Sequence, residues 1–170
     1  MSQTSRSAGS FPLRTGDTAT RSRTVLAEDI ELFTAFTGDR NPVHYDADLA
    51  ARSRFGGIVV QGGVTSGLLN ALVAEDLPGP GSVFLSVSWR FLAPVRPDDV
   101  LTAHALVTSV REDKPVTGLD TTITNQDGVV VLDGSAVVWR DPAVAAAQEP
   151  ASRARTASIG SASAGDLSGR

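Results

Sequence analysis

Leu77-Pro78-Gly79-Pro80-Gly81 divides the chain and constrains its fold more than any other stretch. A helix cannot run through prolines and glycines packed this closely, so the pattern on the N-terminal side must end here. That pattern is Val64–Asp76, with Val64, Leu68, Leu69, Leu72 and Val73 apolar at helical spacing. It is apolar enough to be wrapped by a sheet. Beyond the stop lie four stretches of high β propensity: Ser82–Pro94, Val100–Arg111, Pro115–Thr124 and Val129–Arg140. They are parted by the turn signals Arg96-Pro97-Asp98-Asp99, Glu112-Asp113-Lys114-Pro115 and Asn125-Gln126-Asp127-Gly128. Short links between successive strands imply an antiparallel meander. The expected class is α+β.

Upstream, Thr18–Leu26 carries enough β-branched residues for a strand. The spacing then becomes helical over Ala27–Thr37, with Ile30, Phe33 and Phe36 on one side and Leu32 beside them. Glu28, Asp29 and Glu31 occupy its first turns, where negative charge meets the positive end of the helix dipole. Gly38 suits the left-handed position that closes a helix. Asp46 or Asp48 is placed to cap a short helix over Ala47–Arg54. The expected body is 17–142, with a loose tail over 1–16 and an Ala/Ser/Gly/Arg-rich tail over 143–170.

Charge and composition remove several function classes. Residues 1–23 carry a net +3 and 143–170 a net +1, so the total of −4 leaves −8 on the body. An acidic body is a poor nucleic-acid surface, which needs clustered cations. The chain has no cysteine, which excludes disulfides, thiolate metal sites and cysteine nucleophiles. Its apolar runs are too short to span a bilayer and its first residues lack a signal peptide's apolar core. A soluble, cytoplasmic protein is the expectation.

Between the two helical patterns lies Asp39-Arg40-Asn41-Pro42-Val43-His44-Tyr45-Asp46, which holds one of only two histidines. Pro42 fixes one backbone torsion and pushes Asn41 toward an extended conformation, so the loop is stiff. A stiff loop can aim a carboxylate and an imidazole at one point, and a water shared between them makes a general acid/base unit near neutral pH. Spacing alone also admits a plainer reading, in which His44 is a surface histidine and Asp39 a turn residue.

The wider pattern favours the first of these. Gly38-Asp39-Arg40-Asn41-Pro42-Val43-His44-Tyr45-Asp46, then Phe55 and Ile58-Val59-Val60-Gln61-Gly62, resembles the signature of the MaoC-like and (R)-specific enoyl-CoA hydratases. The resemblance continues through Leu77–Ser82, Arg90–Val95 and Arg111–Pro115, covering roughly residues 17–140 in order. It implies a hot-dog fold, an antiparallel sheet wrapped around one long helix, and a homodimer with active sites near the subunit interface. Asp39 and His44 match the family's catalytic dyad, and Gly62 the glycine whose backbone N–H polarises the thioester carbonyl. Asn70 falls where many of these hydratases place a serine that supports the dyad. Asn41 and Gln61 are further candidates for support or substrate binding, although Gln61 stands where histidine is commonest. The implied reaction is reversible addition of water to a 2-enoyl thioester, giving an (R)-3-hydroxyacyl thioester. No cofactor is expected beyond the coenzyme A or acyl carrier protein that bears the substrate.

Other residues have weaker claims. Asp39, His44, Asp46 and Asp48 do not form a recognised metal-ligand spacing, so no metal is expected. His104, among small apolar neighbours, reads as structural, and Phe84, Trp89 and Phe91 as core or core edge. Arg90, Arg96 and Lys114 are candidate contacts for coenzyme A phosphates, with solvated surface charge the plainer reading. Ser66 lacks both a base and a nucleophile-elbow context. Two alternatives remain: a catalytically silent hot-dog subunit that binds acyl groups or completes a heterodimer, and a thioesterase on the same fold.

Overall fold

A computed structural model describes residues 13–147. In chain order it has β1 (Thr18–Thr24), α1 (Ala27–Thr37), a 3-10 turn (Pro42–His44), α2 (Ala47–Arg52), α3 (Gly62–Glu75), β2 (Ser82–Phe91), β3 (Val100–Val110), β4 (Val116–Thr124) and β5 (Val130–Arg140). No helix among the described residues is long and apolar enough to cross a membrane.

The five strands form one antiparallel sheet in the order β1-β3-β4-β5-β2. Only β3, β4 and β5 form the expected meander. The short link from β2 to β3, residues 92–99, is not a hairpin. β2 sits at one edge beside β5, while β3 lies next to β1 near the other. Pro94 and Pro97 cannot donate to a ladder, so this link suits a crossing rather than a paired turn. Its far end docks instead on the end of β1, where Val25 and Asp99 share one backbone bond (2.9 Å) and Asp98 and Val25 another (2.8 Å). Midway, the Val95 carbonyl accepts the Val60 N–H at 2.9 Å. The crossing thereby becomes a wall in front of the N-terminus of α3.

The sheet curls around α3. Inward-facing Leu101, Ala103, Ala105 and Val107 of β3, Leu119 and Ile123 of β4, and Leu132, Ala136 and Val138 of β5 meet Leu68, Leu69, Leu72 and Val73. Each large aliphatic side chain buried there contributes roughly 1.5–3 kcal/mol. The covering is incomplete along one strip of the helix. Gly62 and Asn70 are exposed and Ser66 between them is half-buried, at the four-residue spacing of one helix face.

Several expectations need correction. α3 starts two residues earlier than its apolar pattern, at Gly62, so both glycines of the pair lie inside it. On α1, Ile30 is buried, but Leu32 (68%) and Phe36 (88%) are exposed. Phe84 and Trp89 pack edge to face with ring centres 5.6 Å apart, whereas Phe91 is exposed. His104 lies on the outer face of β3, half-buried between Thr20 and Thr122. Residues 13–16, expected in a loose tail, are tied down: Leu13 packs on the core and the Gly16 N–H donates to the Val107 carbonyl at 2.9 Å. At the other end, residues 142–147 form a helical turn with Ala145 buried. The rest of both expected tails, 1–12 and 148–170, lies outside the described residues.

Candidate active site

The polar loop begins where α1 stops. Gly38 adopts the left-handed conformation (φ 79°) and donates its N–H to the Thr34 carbonyl at 2.8 Å, ending the helix as expected. The next residues form two successive side-chain turns. Asp39 Oδ1 accepts the Asn41 N–H at 3.1 Å, and Asn41 Oδ1 accepts the Val43 N–H at 3.4 Å. Asn41 is extended, as a residue before proline should be, and Pro42 opens the 3-10 turn. Asp46 then caps α2 by accepting the Leu49 N–H at 2.9 Å. Between turn and cap, His44 points inward.

His44 is held by its Nδ1, 2.7 Å from the Val59 carbonyl. A carbonyl only accepts, so Nδ1 carries a proton, and in the neutral tautomer this leaves the lone pair on Nε2. That nitrogen lies 3.7 Å from Asp39 Oδ2. The two oxygens of Asp39 are therefore divided: Oδ1 builds the loop and Oδ2 faces the imidazole. At 3.7 Å the pair is too far apart for a direct hydrogen bond but close enough for one water, lying to the side of both atoms, to bond to each. The imidazole is largely buried, while the carboxylate is 39% exposed and open to water.

His44 lines a cavity of about 340 Å³, together with Asn41, Phe55, Gly62 and Thr65, and with residues 91–95 of the crossing segment. Gly62 is the first residue of α3, where backbone N–H groups have no intrahelical partner and the dipole favours negative charge. The surroundings leave little space for a side chain at Gly62 and none at Gly63. A Cβ on Gly62 would lie 3.1 Å from the Phe91 ring, and one on Gly63 would lie 2.1 Å from the Phe33 ring. The backbone of the helix start is thus left open to the cavity and close to α1.

The other sequence candidates divide. Asn41 lines the cavity. Gln61 does not: it is buried with its amide nitrogen 3.0 Å from Thr34 Oγ1 and 3.4 Å from the Ile30 carbonyl, facing α1 rather than the cavity. Asn70 lies on the open strip of α3, eight residues past Gly62 and so about 12 Å along the axis, and does not line the cavity. Arg90 is paired in two contacts with Asp133 (3.0 and 2.7 Å), and Arg96 donates to the Ile58 and Phe55 carbonyls. Lys114 lines a different cavity, beside the β3–β4 turn. The cation beside His44 at this cavity is one that no sequence pattern singles out. Arg54 lines it, lies over the Phe55 ring at 5.5 Å, and has no carboxylate partner among the described residues.

Comparison with known proteins bears on this geometry. A family model described as a MaoC like domain matches residues 12–127. An (R)-specific enoyl-CoA hydratase of Aeromonas caviae is 38% identical over 126 residues, which is 74% of this chain and 94% of that protein. A 3-hydroxybutyryl-CoA dehydratase of Methylorubrum extorquens is 36% identical over 126 residues, covering 74% of this chain and 80% of that one. Among solved structures, an (R)-hydratase from A. caviae involved in PHA biosynthesis superimposes with a TM-score of 0.73 at 36% identity, covering 78% of this chain and all of that one. With its sheet curled round α3 in the hot-dog arrangement of these structures, the chain belongs to the MaoC-like family, alongside hydratases and dehydratases of the hydro-lyase class.

Proposed function

We propose that the protein catalyses the reversible hydration of a 2-enoyl thioester to an (R)-3-hydroxyacyl thioester, with Asp39 and His44 as its acid/base pair. The observation that carries this reading is the 3.7 Å approach of His44 Nε2 to Asp39 Oδ2 beside a cavity that also contains the N-terminus of α3. The names of the two relatives support the reaction class and favour coenzyme A as carrier.

In the hydration direction, a water bridges Asp39 Oδ2 and His44 Nε2, each accepting one of its protons. As the water oxygen bonds to C3, one proton passes to the pair, and the C2=C3 electrons move through the carbonyl carbon onto the thioester oxygen. The Gly62 N–H stabilises that charge, an interaction that strengthens only as charge develops. The pair then delivers a proton to C2 and returns to its starting state, so one water has been added and nothing else consumed. Arg54 meets a phosphate of the carrier at the cavity mouth. A second copy of the chain covers β2, completing a homodimer.

The test is incubation with crotonyl-CoA, following both enoyl absorbance and free thiol. Loss of absorbance without thiol is the expected result. Thiol release would instead indicate a thioesterase, and no change in either a non-catalytic acyl-binding subunit.

A further inference from the structure

The hydroxyl of Thr34 joins the two halves of the candidate site. Thr34 is 3% exposed and lies on α1, one turn before the polar loop. Its Oγ1 donates to the Asp39 carbonyl at 2.7 Å. The same oxygen accepts from the Tyr45 hydroxyl and, at 3.0 Å, from Gln61 Nε2. Those contacts use all of its capacity, one donor and two acceptor positions. With two donors aimed at the oxygen, its single proton is left to the Asp39 carbonyl, so its orientation is imposed from both sides.

This is not how a helical threonine ordinarily behaves. Such a hydroxyl usually bonds back to the carbonyl three or four residues earlier. Thr37, three residues further along α1, does so, donating to the Phe33 carbonyl at 2.7 Å. Thr34 instead reaches forward past the end of the helix, and the Ile30 carbonyl it would have used lies 3.4 Å from Gln61 Nε2. Gln61 in turn is the residue immediately before Gly62, at the cap position of α3. One hydroxyl therefore ties down the residue bearing the acid/base carboxylate, the residue after His44, and the residue next to the oxyanion donor.

We infer that Thr34 is a positioning residue that fixes Asp39 relative to both His44 and the Gly62 N–H, and that Gln61 serves this junction rather than contacting substrate. The inference rests on the reaction proposed above for its kinetic consequence, but not for its geometry. Misplacement of a reacting group by about 1 Å can cost on the order of 100-fold in rate. Thr34→Val keeps the shape and removes the hydroxyl, so its kcat for crotonyl-CoA hydration should fall about 10- to 100-fold with KM within about twofold. Thr34→Ser, which restores the hydroxyl, should recover most of the loss. A purely structural role would lower the melting temperature while leaving kcat intact below it. Crystal structures of the wild type and Thr34→Val give a readout independent of turnover: the separation of Asp39 Oδ2 from His44 Nε2 should change from its wild-type value. If the wild type does not hydrate crotonyl-CoA, the reaction is wrong and this separation still tests the junction. If Thr34→Val does not fold, Tyr45→Phe withdraws one donor from the partly exposed side and should give an intermediate loss of kcat. Wild-type kcat and an unchanged Asp39–His44 separation, in Thr34→Val or failing that in Tyr45→Phe, would overturn the inference.

Discussion

At the scale of single residues, the candidate site sets a proposed acid/base pair apart from the groups that hold it. Asp39 and His44 stood out as candidates because both lie in one short proline-bearing stretch that resembles the family signature, whereas spacing alone left the plainer reading open. Thr34, Tyr45 and Gln61 were not legible as a unit. The Gln61–Thr34 bond joins residues 27 apart in sequence, and no local pattern reports a contact of that span. Arg54 was missed for a related reason, since in sequence it is one arginine among many. Its distinction is its place: it lines the cavity beside His44, lies over the Phe55 ring, and has no carboxylate partner among the described residues. If Arg54 meets a carrier phosphate, Arg54→Ala should raise KM several-fold for crotonyl-CoA and leave it unchanged for crotonyl-pantetheine, which lacks phosphate. The loss corresponds to one charge-assisted hydrogen bond, worth about 1.5–3 kcal/mol when fully formed and less at an exposed site. An equal effect on both substrates would remove the phosphate contact from the account.

At the scale of elements, the strands and helices followed from local signals and their order in the sheet did not. Among the described residues, periodicity and turn residues located β1 to β5 and α1 to α3 to within a few residues, but not the helical turn at 142–147. Whether β2 pairs with β3 or with β5 depends on what covers α3, which is a property of the assembled core. The proline-bearing link at residues 92–99 carried a partial warning, because Pro94 and Pro97 fit poorly into a hairpin ladder. The pairing of α1 with α3 was also hidden, yet it sets the site: Gly63 lets the Phe33 ring rest against the first turn of α3. Gly63→Ala should therefore destabilise by about 1–3 kcal/mol in urea unfolding, the usual cost of overpacking. If the clash is with Phe33, the added cost should largely vanish in a Phe33→Ala background, because contacting residues are not additive. A cost that persists undiminished there would place the clash elsewhere.

At the scale of the whole molecule, the apolar surface is unevenly spread. Val83, Leu85 and Val87, each about half exposed, lie on β2, which among the described residues is an edge strand paired only with β5. An apolar edge of this kind invites pairing with another chain. A second copy that covers it forms a closed two-fold assembly. Light scattering on the purified protein should give about twice the 17.6 kDa chain mass. Leu85→Asp should shift it toward the chain mass by burying a charge in the interface. A clean wild-type monomer at micromolar concentration would contradict this assembly.

The central claim, that Asp39 and His44 act on one shared water, meets its most direct test in the hydration kinetics of Asp39→Asn, His44→Gln and the double mutant. Each single change keeps the shape of the side chain and removes a proton acceptor. General acid/base groups contribute roughly 10²–10⁴-fold, so each single mutant should lose at least about 100-fold in crotonyl-CoA turnover while circular dichroism shows an intact fold. Two groups working as one unit are non-additive, and the double mutant should be scarcely worse than the poorer single. Near-wild-type turnover in either folded single mutant, or losses that multiply in the double, would contradict a shared water between Asp39 and His44.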